Sequence, residues 1–336
     1  MSDNSHIQWT DATLNIASGC TKISDGCVHC YIDRTPPFRM TRRRFDKPGI
    51  GGAMDMVFHR DRLNLPLRWR KPRRIFVNAL ADLFHDAIPD GFIAQLWNVM
   101  GQCPQHTFQI LTKRHARMRD WATRWADHAE DQGVRLVRGP GATRDAHPSG
   151  RGQLFAAMLE DMGTPPDGCA YPTFDWMEGQ RWWPSDLFNV HLGVSVEDQK
   201  WADIRIPALL DTPAAVRWIS AEPLLGPLDL IEYLEPATTC PWSTCAGHHP
   251  GLNWVVVGGE SGPGARYMDL DWVRGVVEQC RAAKVPVFVK QLGSQWASAA
   301  GATMPEDNRP DPKGGNWDHW PADLCVREYP RLVGAK

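Results

Sequence analysis

Short apolar runs rich in β-branched residues alternate along the chain with longer stretches whose apolar positions recur at helical spacing. This alternation is typical of βαβ units with a parallel sheet. We predict seven strands, at residues 13–18, 74–78, 107–111, 190–196, 215–220, 253–258 and 285–290. Helices are predicted at 89–101, which starts with a proline, and at 271–284. Right-handed crossovers would wind these strands into a barrel or an open doubly wound sheet.

Three segments interrupt this rhythm. Residues 127–188 are rich in glycine and proline near both ends and predict an inserted lid or partner surface. Residues 293–336 are predicted to wrap the surface as a tail without joining the sheet, so that the barrel domain spans 1–292. A smaller insertion at 235–251 would be either a zinc knuckle or an ordinary loop. Its candidate ligands are Cys240, Cys245, His248 and His249.

The composition is that of an ordinary folded domain. Of 336 residues, 43% are hydrophobic and 23% are charged, which is enough to bury a core without disulfides. No apolar run approaches the roughly 20 residues that span a bilayer, and the N-terminus lacks the features of a secretory signal. We therefore expect a cytoplasmic protein without membrane contact. Its nine cysteines are then expected to be metal ligands or buried thiols.

Positive charge is concentrated in one stretch. Residues 34–74 contain 13 lysines and arginines against three aspartates, a net charge of +10, whereas the whole chain carries −2. Clustered cations favour a polyanionic partner, and nucleic acid is the leading candidate. The alternative is a solvated surface whose arginine stems pack on tryptophan. The candidate nucleic-acid contacts are Arg42, Arg43, Arg44, Arg70 and Arg73.

The strongest chemical signal is the segment GCTKISDGCVHCY, which follows the first predicted strand. It contains Cys20, Cys27 and Cys30, separated by six and then two residues. Functional groups gather at the C-terminal ends of strands in parallel α/β folds, so this placement favours a site. Three thiolates can hold three irons of a 4Fe-4S cluster and leave the fourth iron open. The alternatives are a structural zinc site, with His29 or a distant residue as fourth ligand, and unligated thiols.

Several segments together resemble a phage-associated, three-cysteine, radical-SAM-like family of unknown function. They are IQWTDATLNIASGCTKISDGCVHCY, PLRWRKPRRIFVNALADLFHD, QHTFQILTKR, HLGVSVEDQKWADIRIPALL, WISAEPLLGPLDL, WVVVGGESGPGARYM and VFVKQLG, and they cover most of residues 7–292 in order. The resemblance implies an α/β fold, an incomplete TIM-like barrel of about six to seven parallel strands with irregular insertions. It also implies a 4Fe-4S cluster on the three cysteines, S-adenosylmethionine as a cofactor, and a methyltransferase-like partner protein.

Two features depart from the widespread radical-SAM pattern. That pattern has three residues between its first two cysteines and usually an aromatic residue before the third, whereas here there are six, and His29 precedes Cys30. Gly258, Gly259 and Glu260 resemble the motif that contacts the methionyl amine, but they follow the sixth predicted strand instead of an early one. The alternative is a tight turn from strand to loop.

Polar residues also follow the other predicted strands, and together they predict a polar pocket at one end of the barrel. The set is Asn78, Asp82, Thr112, Lys113, Arg114, Ser195, Glu197, Ser220, Glu222, Lys290 and Gln291. Candidate catalytic residues are Glu197, Glu222 and Lys290, and Ser195 and Glu222 are candidate cofactor contacts. We expect a radical enzyme acting on a nucleic acid or nucleotide. The alternative is a non-catalytic nucleic-acid-binding or adaptor protein with a structural zinc site.

Overall fold

The computed structural model describes residues 5–126, 161, 187–235 and 251–330. Its strands are β1 (Ala12–Leu14), β2 (Ala17–Thr21), β3 (Ala53–Phe58), β4 (Arg74–Val77), β5 (Thr107–Thr112), β6 (Val190–Ser195), β7 (Val216–Ala221), β8 (Trp254–Gly258) and β9 (Val287–Gln291). Its α-helices are α1 (Pro36–Thr41), α2 (Asp90–Gly101), α3 (His115–Ala126), α4 (Gln199–Leu210), α5 (Ile231–Leu234), α6 (Leu270–Ala282) and α7 (Ser294–Ala299).

Seven of these strands form one parallel sheet in the order β1-β4-β5-β6-β7-β8-β9. The sheet follows the order of the chain and curls into a half-barrel flanked by helices, so the predicted incomplete TIM-like barrel is confirmed. The predicted helices at 89–101 and 271–284 correspond to α2 and α6. Helix α2 forms here because its apolar positions, among them Phe92, Leu96 and Trp97, recur on one face that the sheet buries completely.

The prediction of the first strand, 13–18, is wrong at its C-terminal end, because the chain leaves the sheet after Leu14. Asn78, at the end of β4, accepts hydrogen bonds through its side-chain oxygen from the backbone N–H groups of Ile16 and Ala17, at 3.0 and 3.2 Å. The chain then enters β2, which pairs antiparallel with β3 in a separate two-stranded sheet. We call this β2–β3 sheet the ribbon.

Large aromatic side chains fill the inside of the half-barrel towards the N-terminal ends of its strands. We call this cluster the aromatic floor; it consists of Trp9, Phe76, Trp218, Trp254 and Phe288. The indole of Trp218 packs against Gly193 of the neighbouring strand, where a Cβ atom would lie 2.5 Å from the ring. Most polar side chains that follow the strands lie at the opposite, C-terminal ends, although Gln109 and His191 are buried beside the floor. We call the C-terminal end the mouth.

The C-terminal tail, predicted to wrap the surface, contacts the edge strand β9 through an isolated antiparallel bridge between Phe288 and Arg327. The backbone N–H of Val289 donates to Val326, and the N–H of Glu328 donates to Val287, both at 2.9 Å. Strand β9 is an edge strand, and the tail satisfies backbone groups that would otherwise face solvent unpaired. Tyr329 then packs on Trp254 of the aromatic floor, with ring centroids 5.8 Å apart.

Two predictions concern segments that the structure leaves almost undescribed. The lid at 127–188 lies outside the described residues apart from Asp161 and residues 187–188, and so does the insertion at 235–251 apart from its two end residues. Cys240, Cys245, His248 and His249 therefore have no structural account. None of the described helices is long and apolar enough to cross a membrane.

Candidate functional site

The three cysteines lie at the mouth on the ribbon and on the turn that follows it. Cys20 is on β2, Cys27 ends a short 3-10 turn (Asp25–Cys27), and the N–H of Cys30 donates to Cys27 at 3.2 Å. We call residues 20–30 the cysteine loop. Burial raises the pKa of Cys20 to about 12 and also raises the pKa of Cys30. The other two thiols also contribute to the shift at Cys20, so the three groups lie within electrostatic reach of one another.

A first carboxylate, Asp82, places a cation beside Cys20. Asp82 follows β4 and accepts hydrogen bonds from Thr112 Oγ1 at 2.6 Å and from the backbone N–H of Lys113 at 3.0 Å. It also pairs with Arg114 Nη1 at 3.0 Å. The same guanidinium nitrogen lies 3.9 Å from Cys20 Sγ, and Arg114 Nη2 donates to the carbonyl of Thr21 at 3.3 Å. Burial and the charge of Asp82 raise the pKa of Cys20, and the charge of Arg114 opposes this rise without offsetting it.

A second carboxylate, Glu197, holds the middle of the cysteine loop. It is completely buried, pairs with Arg205 at 2.8 Å, contacts Lys113 Nζ, and accepts a hydrogen bond from Ser24 Oγ at 2.8 Å. Burial favours its protonated form, but the charges of Lys113 and Arg205 outweigh burial and lower the pKa of Glu197. Gly26 lies directly over it, since a Cβ there would approach Glu197 Cγ to 2.4 Å. Glu197 therefore positions the loop and is enclosed away from a substrate.

A third carboxylate, Glu260, holds the other end of the loop. It accepts hydrogen bonds from Arg266 through the backbone N–H, Nε and Nη2, at 2.8, 2.9 and 2.6 Å. His29 Nδ1 lies 3.0 Å from it, and Arg266 also donates to the carbonyl of Asp25 at 3.1 Å. These bonds outweigh burial and lower the pKa of Glu260 to about 2. The carboxylate expected to receive a methionyl amine is thus already occupied by the loop and by Arg266.

The glycines before Glu260 are needed because other chain segments lie against them. A Cβ at Gly259 would lie 2.6 Å from the carbonyl oxygen of Leu292, and one at Gly258 would lie 3.0 Å from Glu222 Oε1. Gln291 Nε2 donates to the carbonyl of Gly259 at 2.9 Å. The alternative interpretation of this motif as a tight turn therefore describes its backbone well.

The side of the mouth formed by β7, β8 and β9 keeps groups that can still bind a ligand. Lys290 Nζ lies 2.8 Å from Glu222 Oε1, and Ser220 Oγ donates to Glu222 Oε2 at 3.1 Å. Glu222 Oε1 forms an ion pair with the ammonium of Lys290. It accepts no hydrogen bond from any described residue, so it can still accept one from a ligand. Ser195 is the register partner of Ser220 on the neighbouring strand. Glu222 and Lys290, two of the predicted candidates, are thus in contact, and Ser195 lies on the neighbouring strand.

One residue of this region has no signal in the sequence. The tail places the exposed Lys313 beside β9, where the N–H of Gly293 donates to its carbonyl at 2.9 Å. Protein atoms that surround the ammonium, and the charge of Lys290, lower the pKa of Lys313. A lone lysine in a glycine-rich tail carries no pattern, and only the packing of the tail brings it to the mouth.

The predicted nucleic-acid contacts lie at two ends of the sheet. Arg42 and Arg44 are exposed beside the ribbon, whereas Arg43 donates to the carbonyls of Ser18 and Asp55, at 3.1 and 2.5 Å, and holds the ribbon to α1. Two further residues, Arg70 and Arg73, precede β4 and so lie at the N-terminal end of the sheet, away from the mouth. The guanidinium of Arg73 covers Trp69 at 4.9 Å, as the alternative interpretation of this stretch describes.

The donor set fits a metal cofactor in its chemistry. Within the described residues, no three histidine, cysteine, aspartate or glutamate side chains are close enough to hold a single metal ion. The three thiols nevertheless lie on one loop, beside Arg114, and the charges of Lys113 and Lys22 oppose the burial that raises the pKa of Cys30. Such cations would offset the negative charge of a thiolate-ligated cluster.

Comparison with known protein families gives a match of unknown function. A model of the family DUF5131, described as a protein of unknown function, matches residues 4–321. No curated protein and no solved structure matches the chain significantly. The matched range includes the cysteine loop, every strand of the half-barrel and Lys313.

Proposed function

The chain belongs to the DUF5131 family of proteins of unknown function, and we propose that it is an iron–sulfur enzyme of the radical-SAM type that acts on a nucleic acid or nucleotide. One observation carries the proposal. The only segment with three closely spaced cysteines lies at the mouth of a half-barrel, fixed by carboxylates from three different strand ends. Parallel α/β folds place their active sites at this end.

In this proposal Cys20, Cys27 and Cys30 would hold a 4Fe-4S cluster. When bound, such a cluster supplies the electron for reductive cleavage of S-adenosylmethionine. The protein contributes positioning and charge. Asp82 holds Arg114 beside Cys20, while Glu197 and Glu260 fix the remainder of the loop.

The β7–β9 side of the mouth would bind the organic groups. Glu222 Oε1 faces Lys290 and retains capacity to accept a hydrogen bond from an ammonium or a ribose hydroxyl. Ser195 adds a hydroxyl on the adjacent strand, and Gly258 leaves room for the Glu222 carboxylate because it lacks a side chain. Glu222 and Lys290 are therefore the stronger catalytic candidates, since Glu197 is enclosed by its own ion pairs.

The second candidate function is a non-catalytic nucleic-acid-binding or adaptor protein with structural zinc. The contact between Glu260 and His29 Nδ1 favours it, because histidines that ligate metals commonly bind a carboxylate through their other nitrogen. His29 would then complete a Cys3His set with Cys20, Cys27 and Cys30, which is a common closed zinc site.

Metal analysis of anaerobically purified protein separates the two functions. The enzyme proposal predicts a brown protein that contains iron and sulfide, and that releases deoxyadenosine from S-adenosylmethionine when reductant is added. Cys27→Ala should lose cluster and cleavage and keep the fold, whereas Cys325→Ala, in the tail, should retain both. A colourless protein with stoichiometric zinc and no cluster after reconstitution would overturn the proposal, and unfolding of Cys27→Ala would then support structural zinc.

A further inference from the structure

A buried lysine lies within the cysteine loop itself. Lys22 follows Cys20 by two residues and is 7% exposed. Its ammonium has three N–H donors but a single protein acceptor among the described residues, the carbonyl oxygen of Val28 at 2.9 Å. The same ammonium stands over the ring of Phe45, 4.6 Å from the ring centroid. Lysines are almost never buried to this extent unless they are paired, so these surroundings indicate an anion that faces Lys22.

No carboxylate in the described part of the chain lies within ion-pair distance of Lys22. Asp25, three residues further along the loop, is exposed to solvent. The carboxylates of Asp82, Glu197 and Glu260 are buried at the mouth, and each is bound by other cations. Those cations are Arg114 at Asp82, Lys113 and Arg205 at Glu197, and Arg266 at Glu260. The described protein groups therefore provide Lys22 with no counterion.

Contacts place the ammonium of Lys22 beside the thiol-bearing part of the loop. Val28, whose carbonyl binds the ammonium, lies between Cys27 and Cys30 in the chain. Phe45, under the ammonium, packs with Cys30 against the same buried apolar cluster. Burial raises the pKa of Cys30, and the charge of Lys22 is among those that oppose this rise. Lys22 is thus held beside the segment that carries two of the three thiols.

Other cations also donate to backbone carbonyls of the cysteine loop, but their charges are neutralised or screened. Arg114 and Arg266 donate to loop carbonyls at 3.3 and 3.1 Å, and each forms an ion pair with a carboxylate. Arg34 donates to the loop at 2.6 Å and is exposed, so water and salt screen its charge. Of these four cations, Lys22 is the one that combines burial with the lack of an ion pair. Its charge therefore acts on the loop with the least screening.

We infer that the ammonium of Lys22 is the counterion of the thiolate-ligated cluster and makes the cluster easier to reduce. Reduction adds one electron and makes the cluster more negative, so a buried positive charge beside it stabilises the reduced form. The electron comes from the reductant that the proposed function already requires, and no bond is made or broken at Lys22. Lys22 is thus a positioning residue that acts through the cluster. This inference rests on the proposed function and adds what tunes the reduction step at the same site.

The midpoint potential of the full-length, reconstituted protein, followed by electron paramagnetic resonance, tests the inference. Lys22→Gln keeps a hydrogen-bond donor for Val28 but removes the charge. It should make reduction about tenfold less favourable, which is a shift of about 59 mV to lower potential for one electron. Lys22→Arg keeps both the donor and the charge, and should have the wild-type potential.

Lys47→Gln is the matched control, because it removes a lysine charge that is close in the fold but exposed. A Cβ at Gly51 would lie 3.3 Å from Lys47 Nζ, and the N–H of Gly51 donates to the carbonyl of Lys22 at 2.7 Å. Since solvent screens the Lys47 charge, the control should keep the wild-type potential.

Two results would overturn the inference: a Lys22→Gln protein that binds its cluster with the wild-type potential, or a Lys22→Arg potential as low as that of Lys22→Gln. Lys22→Met serves as a second neutral variant. Loss of the cluster from both neutral variants, with normal iron content in Lys22→Arg, would also support a counterion. Loss of the cluster from all three variants would overturn it.

The iron and sulfide content of the wild type reports on the proposed function separately. A brown wild type with an unshifted Lys22→Gln potential would refute the role of Lys22 and leave the proposed function standing. A colourless wild type that binds no cluster after reconstitution would refute the proposed function, and the counterion role would fall with it.

Discussion

Acid should destabilise this protein through His191, on the inner face of β6. The imidazole is 3% exposed, and neither ring nitrogen has a hydrogen-bond partner among the described residues. Its register partner Gln109 also has an unsatisfied side-chain oxygen, and the aromatic floor lies beside both. Burial in these surroundings lowers the pKa of His191 from 6.5 to about 4, because the charged form cannot be solvated there.

The direction of the effect follows from that shift. The unfolded chain takes up a proton at His191 near pH 6.5, whereas the folded protein does so only near pH 4. The folded state therefore has its full stability from this group above pH 6.5 and loses it as the pH falls towards 4. Between pH 7 and pH 5 the free energy of unfolding should fall by about 2 kcal/mol from His191 alone.

His191→Gln removes the titrating ring while it keeps a polar side chain. Urea unfolding, followed by tryptophan fluorescence at pH 7 and pH 5, gives the loss of stability for each protein. The wild type should lose about 2 kcal/mol more than the variant between these pH values. His6→Gln, at an exposed histidine, should behave like the wild type. An equal loss of stability in the wild type and in His191→Gln would refute the conclusion that His191 is a neutral, buried imidazole beside the aromatic floor.

Two further substitutions test other parts of the fold. Gly26→Ala should destabilise the cysteine loop and lower the metal content of the protein, because the new Cβ would lie 2.4 Å from Glu197 Cγ. The control is Gly275→Ala in α6, where the new Cβ would meet open space. It should leave thermal stability unchanged or raise it by up to about 1 kcal/mol. Equal effects of the two would contradict this packing. Trp9→Ala should cost about 3–5 kcal/mol in urea unfolding, since the buried indole contacts aromatic rings of the floor. A loss below about 1 kcal/mol would contradict that role.

The sheet was predictable because its signal is local. Strands buried on both faces appear as continuous apolar runs, such as 253–258. Each such run can be recognised without knowing which strands lie beside it. The ribbon was not predictable in the same way. Its strand β3 lies inside the basic stretch and buries only Met54 among its six residues, and the turn into β2 depends on Asn78, more than 60 residues away.

The site shows the same division between local and distant information. The cysteines were predictable because their spacing lies within 11 residues of sequence. The supports of the loop were not, since Ser24 and Glu197 are 173 positions apart and His29 and Glu260 are 231 positions apart. Glu197 was predicted as a polar strand end and Glu260 as part of the motif formed with Gly258 and Gly259, but only the fold shows that their carboxylates face the loop. A pattern of residue types gives no information about which charges are already neutralised.

The pairing of the tail with β9 has a consequence for the smallest unit that can fold. A chain cut after residue 292 would keep every strand of the half-barrel but would leave the N–H of Val289 without its acceptor in the tail. An uncovered edge strand is a template for pairing with other chains, so such a fragment should self-associate. It would also lack Lys313. The tail therefore protects the barrel from aggregation with one part of its length and completes the rim of the mouth with another.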